Sequence, residues 1–291
     1  MILADIELSR RVEGAEARLS SAIGEAAVRY DPEARAFVAQ LGSGVAVFAG
    51  PDSPSNKIIG AGFEAPPDEG RLDEIERLYF DRAGAVQAEV ATLALPEAHA
   101  AFTARGYLLQ GFENVLGRLL TDEDALAGDD GTIGLELVPP DRIAAWMEVV
   151  ITGFEHPDAT GAGSGVAPPP RHAVERAFAQ ISRAPGFLTY LARIDGDAAG
   201  GGALRIDEGV AQLCGASTLP PHRRRGVQSA LLRRRLADAR RAGCDLAVMT
   251  AQPGSKSHFN AQRQGFSLLY TRAILVKVPP RSRTRRSSFP C

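Results

Sequence analysis

The sequence predicts an α+β protein made of two copies of one unit, each a mixed sheet flanked by helices. Three observations predict it. An apolar strand over 210–219 runs through an Arg/Gly turn into a helix with apolar positions at Leu231, Leu232 and Leu236. A second strand, 246–250, leads through Gln252-Pro253-Gly254-Ser255 to a helix over 257–264, then to Gly265-Phe266 and a last strand, 268–278. The third is an echo of that ending in the first half of the chain: Gly106-Tyr107-Leu108-Leu109 matches Gly265-Phe266-Ser267-Leu268 at a spacing of 159 residues.

Each element has a local reason. The turn Leu219-Pro220-Pro221-His222-Arg223-Arg224-Arg225-Gly226-Val227-Gln228-Ser229 joins a buried strand to a helix N-terminus. Free N–H groups of a first helical turn and the helix dipole attract negative charge there. Gly226 lets the backbone come close to a ligand, and guanidinium groups pair with phosphate oxygens. In the second segment Ser255 is a plausible N-cap and Gly265 a C-cap.

Arg223-x-x-Gly226-x-Gln228 resembles the pyrophosphate loop of the GNAT superfamily of N-acetyltransferases, with Gln228 departing from the small residue usual at the last position. The strand–helix–Gly-Phe–strand ending is similar to the closing half of that fold. The resemblance covers residues 131–279 and implies an acetyl-CoA-binding domain, with the pantetheine arm of the cofactor in a V between two splayed strands. It implies cofactor contacts at Ala216, Ser217, Thr218, Arg223, Arg224, Arg225, Gly226, Val227, Gln228, Ser229 and Asn260, with Leu219 as a further backbone partner. It implies transfer of an acetyl group to an amine. The Tyr that commonly protonates the leaving thiolate in the family would stand at Ala261, so the usual acid is missing.

A second match at the same spacing, Arg82-Ala83-Gly84 against Arg241-Ala242-Gly243, suggests that residues 1–122 are a degenerate copy of the same unit. At that spacing Pro67 falls on Gly226 and Glu69 on Gln228. Carboxylates at a helix start satisfy its dipole and repel a diphosphate, so this copy is not expected to bind coenzyme A. Its expected role is structural, or to wall the acceptor cleft of the other copy. An acidic, Gly-containing linker, 121–131, separates the two. A Gly/Pro-rich loop, 158–170, lies between expected helices at 142–153 and 172–184 and reads equally as a lid or a connector. The basic tail, 280–291, is expected to be disordered.

Composition bounds the alternatives. At 291 residues about two domains are expected, and 45% hydrophobic residues support sizeable cores. A net charge of −2 sets up no field toward nucleic acid or membrane. Cys214, Cys244 and Cys291 show no metal spacing, no metal is expected, and the first two read as buried thiols. The N-terminus lacks the pattern of a signal peptide and no run is long enough to span a membrane, so a cytoplasmic protein, monomer or homodimer, is expected.

For the base, Phe154-Glu155-His156-Pro157-Asp158 is the densest ionisable cluster near the expected acceptor site. His156 is the candidate base and Glu155 its companion, with Gln212 or Cys214 orienting a water as the other option. The reading is an N-acetyltransferase acting on a small-molecule or peptide amine. A non-catalytic acyl-CoA-binding module is the alternative. A nucleic-acid surface made by Arg223, Arg224 and Arg225 with Arg233, Arg234, Arg235, Arg240 and Arg241 is the third and least favoured, because 6% aromatic content offers few stacking platforms.

Overall fold

The computed structural model describes residues 2–82, 84–126, 131–156 and 169–279. The basic tail, most of the Gly/Pro-rich loop, and Pro157 and Asp158 of the ionisable cluster lie outside the described residues.

The first half runs α1 (Ile6–Tyr30), β1 (Phe37–Leu41), β2 (Gly44–Phe48), β3 (Lys57–Ile59), α2 (Glu69–Phe80), β4 (Val86–Ala91), α3 (Pro96–Ala104) and β5 (Leu108–Leu119). A short helix, α4 (Asp122–Leu126), follows. The second half runs β6 (Gly134–Val138), α5 (Ile143–Glu155), α6 (Arg171–Ile181), β7 (Phe187–Ile194), β8 (Asp197–Asp207), β9 (Val210–Thr218), α7 (Val227–Arg241), β10 (Leu246–Ala251), α8 (Lys256–Arg263) and β11 (Ser267–Lys277).

All eleven strands of the described residues form one sheet, in the order β1-β2-β3-β4-β11-β5-β10-β9-β8-β7-β6. The two copies have exchanged their last strands. β5 pairs antiparallel with β10 of the other copy, and β11 pairs antiparallel with β4. In the central β5–β11 pair Glu113 faces Arg272, its own counterpart 159 residues on, so a local two-fold axis passes between them. Their side chains form an ion pair at 2.9 Å.

The repeat is real in its second half and differs in its first. Tyr107 N donates to Phe102 O as Phe266 N does to Ala261 O, at the expected spacing of 159. Asn114, however, faces Ala251, while its counterpart Ala273 faces Val90. Val90 and Ala251 are therefore equivalent at a spacing of 161, and Gly84 does not occupy the place of Gly243. That place belongs to Arg82, whose N–H donates to Tyr79 O as Gly243 N does to Arg240 O. The first copy has two extra residues between β4 and α3.

Two faces are packed in the second half. On one, Leu231, Leu232 and Leu236 of α7 bury against Leu204, Leu213 and Phe266. On the other, Trp146 and Val150 of α5 bury against Leu191 and Ala203, and the Trp146 indole N–H donates to Gly202 O at 3.2 Å. Helix α1 is capped by Asp5, whose carboxylate accepts from Leu8 N at 2.8 Å. Its Leu19, Ile23 and Ala27 pack on Val45, Val47 and Ile59 of the first copy. Its polar edge, Glu13, Glu16 and Ser20, turns toward the junction with the second copy.

Candidate active site

Strands β9 and β10 are parallel partners for only three residue pairs, ending at Gln212 and Val248. Beyond these they diverge, because each is committed to a different neighbour. β9 follows β8 as far as Thr218, and β10 follows β5 as far as Ala251. The result is an open V. A bulge sharpens it: Gly215 and Ala216 together oppose Gly202, and Gly215 adopts φ +55°. Leu219 N is spent on Ala199 O at 3.0 Å, so the peptide of Thr218, one residue earlier, turns toward the V. The Leu219 N–H expected to face the ligand thus belongs to the sheet. Thr218 Oγ1 is buried beside this opening without a partner among the described residues.

The V leads into the Arg/Gly turn. Gly226 is the N-cap of α7 with φ +86°, a left-handed conformation that costs a side-chain-bearing residue roughly 1–2 kcal/mol. Arg224 also lies in that region, at φ +62°. Among the described residues no side chain caps α7, which leaves the first-turn N–H groups of Val227, Gln228 and Ser229 available to an anion. Arg223 folds inward, donating from Nε to Thr218 O at 3.3 Å and from its Nη2 to His156 O. Arg224 is exposed, and Arg225 is exposed and near Asp195 at 3.5 Å. Asn260 accepts from Arg263 on the same face of α8.

Several of the remaining arginines are matched by carboxylates. Arg234 and Arg241 both pair with Asp238, and Arg240 pairs with Asp122. Arg235 is 1% exposed, beneath the bulge, donating to Leu231 O and to Ala203 O, both at 3.0 Å, and to Cys214 O at 3.5 Å. Burial pulls its guanidinium down to about 10. Of the arginines that the nucleic-acid reading names, Arg234, Arg240 and Arg241 are paired with carboxylates and Arg235 is buried, while Arg224 and Arg225 stay exposed.

A cavity of about 190 Å³ opens at the crotch of the V. The second copy contributes Gln212, Leu213, Cys214, Met249 and Thr250, and the exchanged strand contributes Arg272. The first copy contributes Glu16, Leu19 and Ser20 from α1, with Ser55 and Lys57. Neither Glu155 nor His156 lines it. His156 is exposed with Nδ1 at 2.9 Å from Thr152 O, and Glu155 is ion-paired to Arg171 at 2.8 Å. Burial pushes the Cys214 thiol up to about 12. Sequence reasoning missed Glu16 and Lys57. The available signal was Glu13, Glu16 and Ser20 recurring at helical spacing beside the apolar stripe Val12, Leu19 and Ile23.

In the first copy the corresponding places are closed. Helix α2 is capped by Asp68, whose carboxylate accepts from Arg71 N at 2.8 Å. The chain after β3 is held by Leu95 N donating to Gly62 O at 2.8 Å, a reach supplied by the two extra residues. Gly62 abuts α3 so closely that a Cβ there would lie 2.5 Å from that of Ala98.

Residues 155–266 match the acetyltransferase (GNAT) family model. The second half of the chain carries a GNAT domain. No curated protein matches the chain. Among solved structures, a GCN5-related N-acetyltransferase from Kribbella flavida is similar over 91% of this chain and 95% of its own, at 18% identity and a TM-score of 0.60. A tandem GNAT protein from the clavulanic acid biosynthesis pathway aligns over 81% of this chain and 79% of its own, at 15% identity and a TM-score of 0.55. A GCN5-related N-acetyltransferase from Sphaerobacter thermophilus covers 72% and 67%, at 16% identity and a TM-score of 0.51. At these identities the likeness is one of fold, and it extends to the first copy, which is a second GNAT-like fold. A GNAT domain implies acyl-CoA-dependent acyl transfer. Among the described residues no helix is long and apolar enough to cross a membrane, and no cluster of His, Cys, Asp and Glu is arranged to hold a metal.

Proposed function

We propose that the chain is an acetyl-CoA-dependent N-acetyltransferase, working in the second copy alone on an amine of a small molecule or peptide. The observation that carries this is the open V running into an uncapped, left-handed Arg/Gly turn, absent from the first copy. The site fits the cofactor chemically: Thr218 Oγ1 lacks a partner, the α7 N–H groups lack a cap, and the bulge turns peptide groups into the V. Ala216, Ser217 and Thr218 would hold the pantetheine arm through their backbone. Arg223, Arg224, Arg225, Gly226, Val227, Gln228 and Ser229 would hold the diphosphate, with Asn260 at the rim.

Bound acetyl-CoA supplies an acetyl group activated as a thioester. The chain supplies position and electrostatics. Arg235 fixes the bulge and places a buried positive charge under the strand whose peptides face the acyl group. His156 and Glu155 serve this reading as parts of the loop wall, since their side chains have partners outside the cavity. Cytoplasmic location and a monomeric or dimeric state complete the reading.

Acetyl-CoA at about a hundred times its Kd should stabilise the native chain by roughly 2.7 kcal/mol, seen as a raised Tm. Arg224→Glu combined with Gly226→Glu should remove that shift. Its persistence in the double variant would sink the assignment of the diphosphate site. The acyl-CoA-binding alternative is favoured by Ala261, 2% exposed where an acid would stand. Acetyl-CoA that raises Tm but is not consumed with any amine would select it.

A further inference from the structure

The cavity at the crotch of the V belongs to both copies, and its charge says what it accepts. Four carboxylates, Glu13, Glu16, Glu89 and Glu113, surround two cations, Lys57 and Arg272. Lys57 Nζ donates to Glu16 and to Glu89, each at 3.1 Å. Arg272 donates to Glu13 at 2.7 Å and to Glu113 at 2.9 Å. The nearby Arg205 is matched by Asp207 at 2.7 Å. A proton retained on Glu113, whose carboxyl is pushed up by burial and by Glu89, still leaves excess negative charge. Buried excess charge calls for a counter-ion.

Glu16 is the carboxylate of this group that lines the cavity; Lys57 and Arg272 line it too, each already bonded to two carboxylates of the cluster. Burial works to raise the Glu16 carboxyl, but Lys57 and Arg272 outweigh burial and hold it below the ordinary carboxylate range, so it is anionic at neutral pH. Its Oε2 accepts from Gln212 Nε2 at 3.0 Å, and further lone pairs remain. One helical turn on, Ser20 lines the same cavity at 2% exposure, and its hydroxyl has no partner among the described residues. Glu16 and Ser20 form a polar pole. Leu19, Ile23, Val115 and Met249 supply apolar lining, and Thr250, which also lines the cavity, is exposed. The volume equals roughly six waters at ~30 Å³ each, below the ~300 Å³ of sites for drug-sized ligands.

We infer that this cavity is the acceptor pocket and that it takes a short aliphatic amine carrying a second ammonium group, which Glu16 and Ser20 of the first copy hold. The methylene chain lies along the apolar walls, and the reacting amine reaches the V beside Thr250. This rests on the reading that the V holds acetyl-CoA. The first copy thereby builds the specificity end of a site whose cofactor end lies in the second.

The test uses the full chain and 1,4-diaminobutane, butylamine and 4-aminobutyrate, measured by acetyl transfer and by calorimetry with and without acetyl-CoA. The diamine should be preferred to butylamine by about 10- to 100-fold in kcat/KM, the worth of a charge-assisted hydrogen bond. Glu16→Gln should erase that preference. Ser20→Leu fills the pole without touching the charged cluster. It should weaken the diamine at least tenfold while the Tm shift with acetyl-CoA stays intact. Equal use of diamine and butylamine, no binding heat from the diamine in either condition, or a preference that survives Glu16→Gln would each overturn the inference. A wild-type chain without an acetyl-CoA shift would overturn the cofactor reading instead, and the diamine titration without cofactor would still decide this one.

Discussion

Helices α2 and α7 occupy equivalent places and begin in opposite ways. α7 starts at a left-handed Gly226 with its first N–H groups uncovered. α2 starts at Asp68, which supplies a carboxylate from its own chain to the same kind of N–H groups. α7 has 15 residues and α2 has 12, and their C-terminal caps align at the 161-residue spacing, so α2 lacks almost the whole first turn. The strands ahead of them differ likewise: β9 and β10 gape, while Leu95 bridges to Gly62 in the first copy. On the proposed reading, a GNAT-like sheet is therefore no cofactor site in itself; the site would be made by one uncapped turn and by leaving two strands apart.

The largest effect should come from the point where the copies meet. Arg272 is 1% exposed and holds Glu13 and Glu113 together on the local axis. Arg272→Leu leaves buried carboxylates without their cation and should cost about 3–5 kcal/mol in urea unfolding. If both copies unfold in one transition before and after, they behave as one unit; two resolved transitions in the variant would show that the arginine joins them.

A smaller effect tests the two caps against each other. Asp68→Ala removes a side-chain cap and should cost about 1 kcal/mol of stability, with no change in the acetyl-CoA-induced shift. Calorimetry of coenzyme A should return one site per chain for the wild type and for Asp68→Ala. A second site appearing in the variant would mean that the carboxylate alone keeps the first copy empty, and the closed Leu95–Gly62 contact would lose its importance.

The smallest effect concerns pH. Glu76 of α2 accepts from Arg105 at 3.0 Å and from Lys277 of the exchanged β11 at 2.6 Å. Burial works to raise its carboxyl, but the bonds from Arg105 and Lys277 prevail and lower it. A lowered folded value means stability present above the unfolded value, near 4.3, and lost as pH falls through the folded one. Glu76→Gln should therefore be less stable than the wild type at neutral pH and approach it on acidification below about 4.3. A gap between the two that stays constant down to strongly acid pH would exclude Glu76 as a source of the acid sensitivity.

What could be read from the sequence was what is local. The turn 219–229 and the Gly265-Phe266 cap carry their conformations in adjacent residues, and both have the expected structure. The pairing of β5 with β10 and of β11 with β4 could not be read, because apolar strands carry no label for a partner in the other copy. The 161-residue spacing was hidden for a related reason: a two-residue insertion leaves the glycine motifs looking aligned while shifting the strand. Glu16 was overlooked since a Glu on a helix is ordinarily solvated. Its role depends on Lys57 and Gln212, 41 and 196 residues away.

The exchanged strands also order events during synthesis. As the chain leaves the ribosome, β4 and β5 emerge long before β11, the strand that separates them in the finished sheet. Until residue 277 has been made, the first copy presents two unsatisfied strand edges, and pairing across some 160 residues is slow to form. A chain cut short before residue 267 would lose the second copy's last strand and leave the first copy's sheet unclosed as well, so incomplete products are marked for aggregation or proteolysis by the same strand that completes the protein.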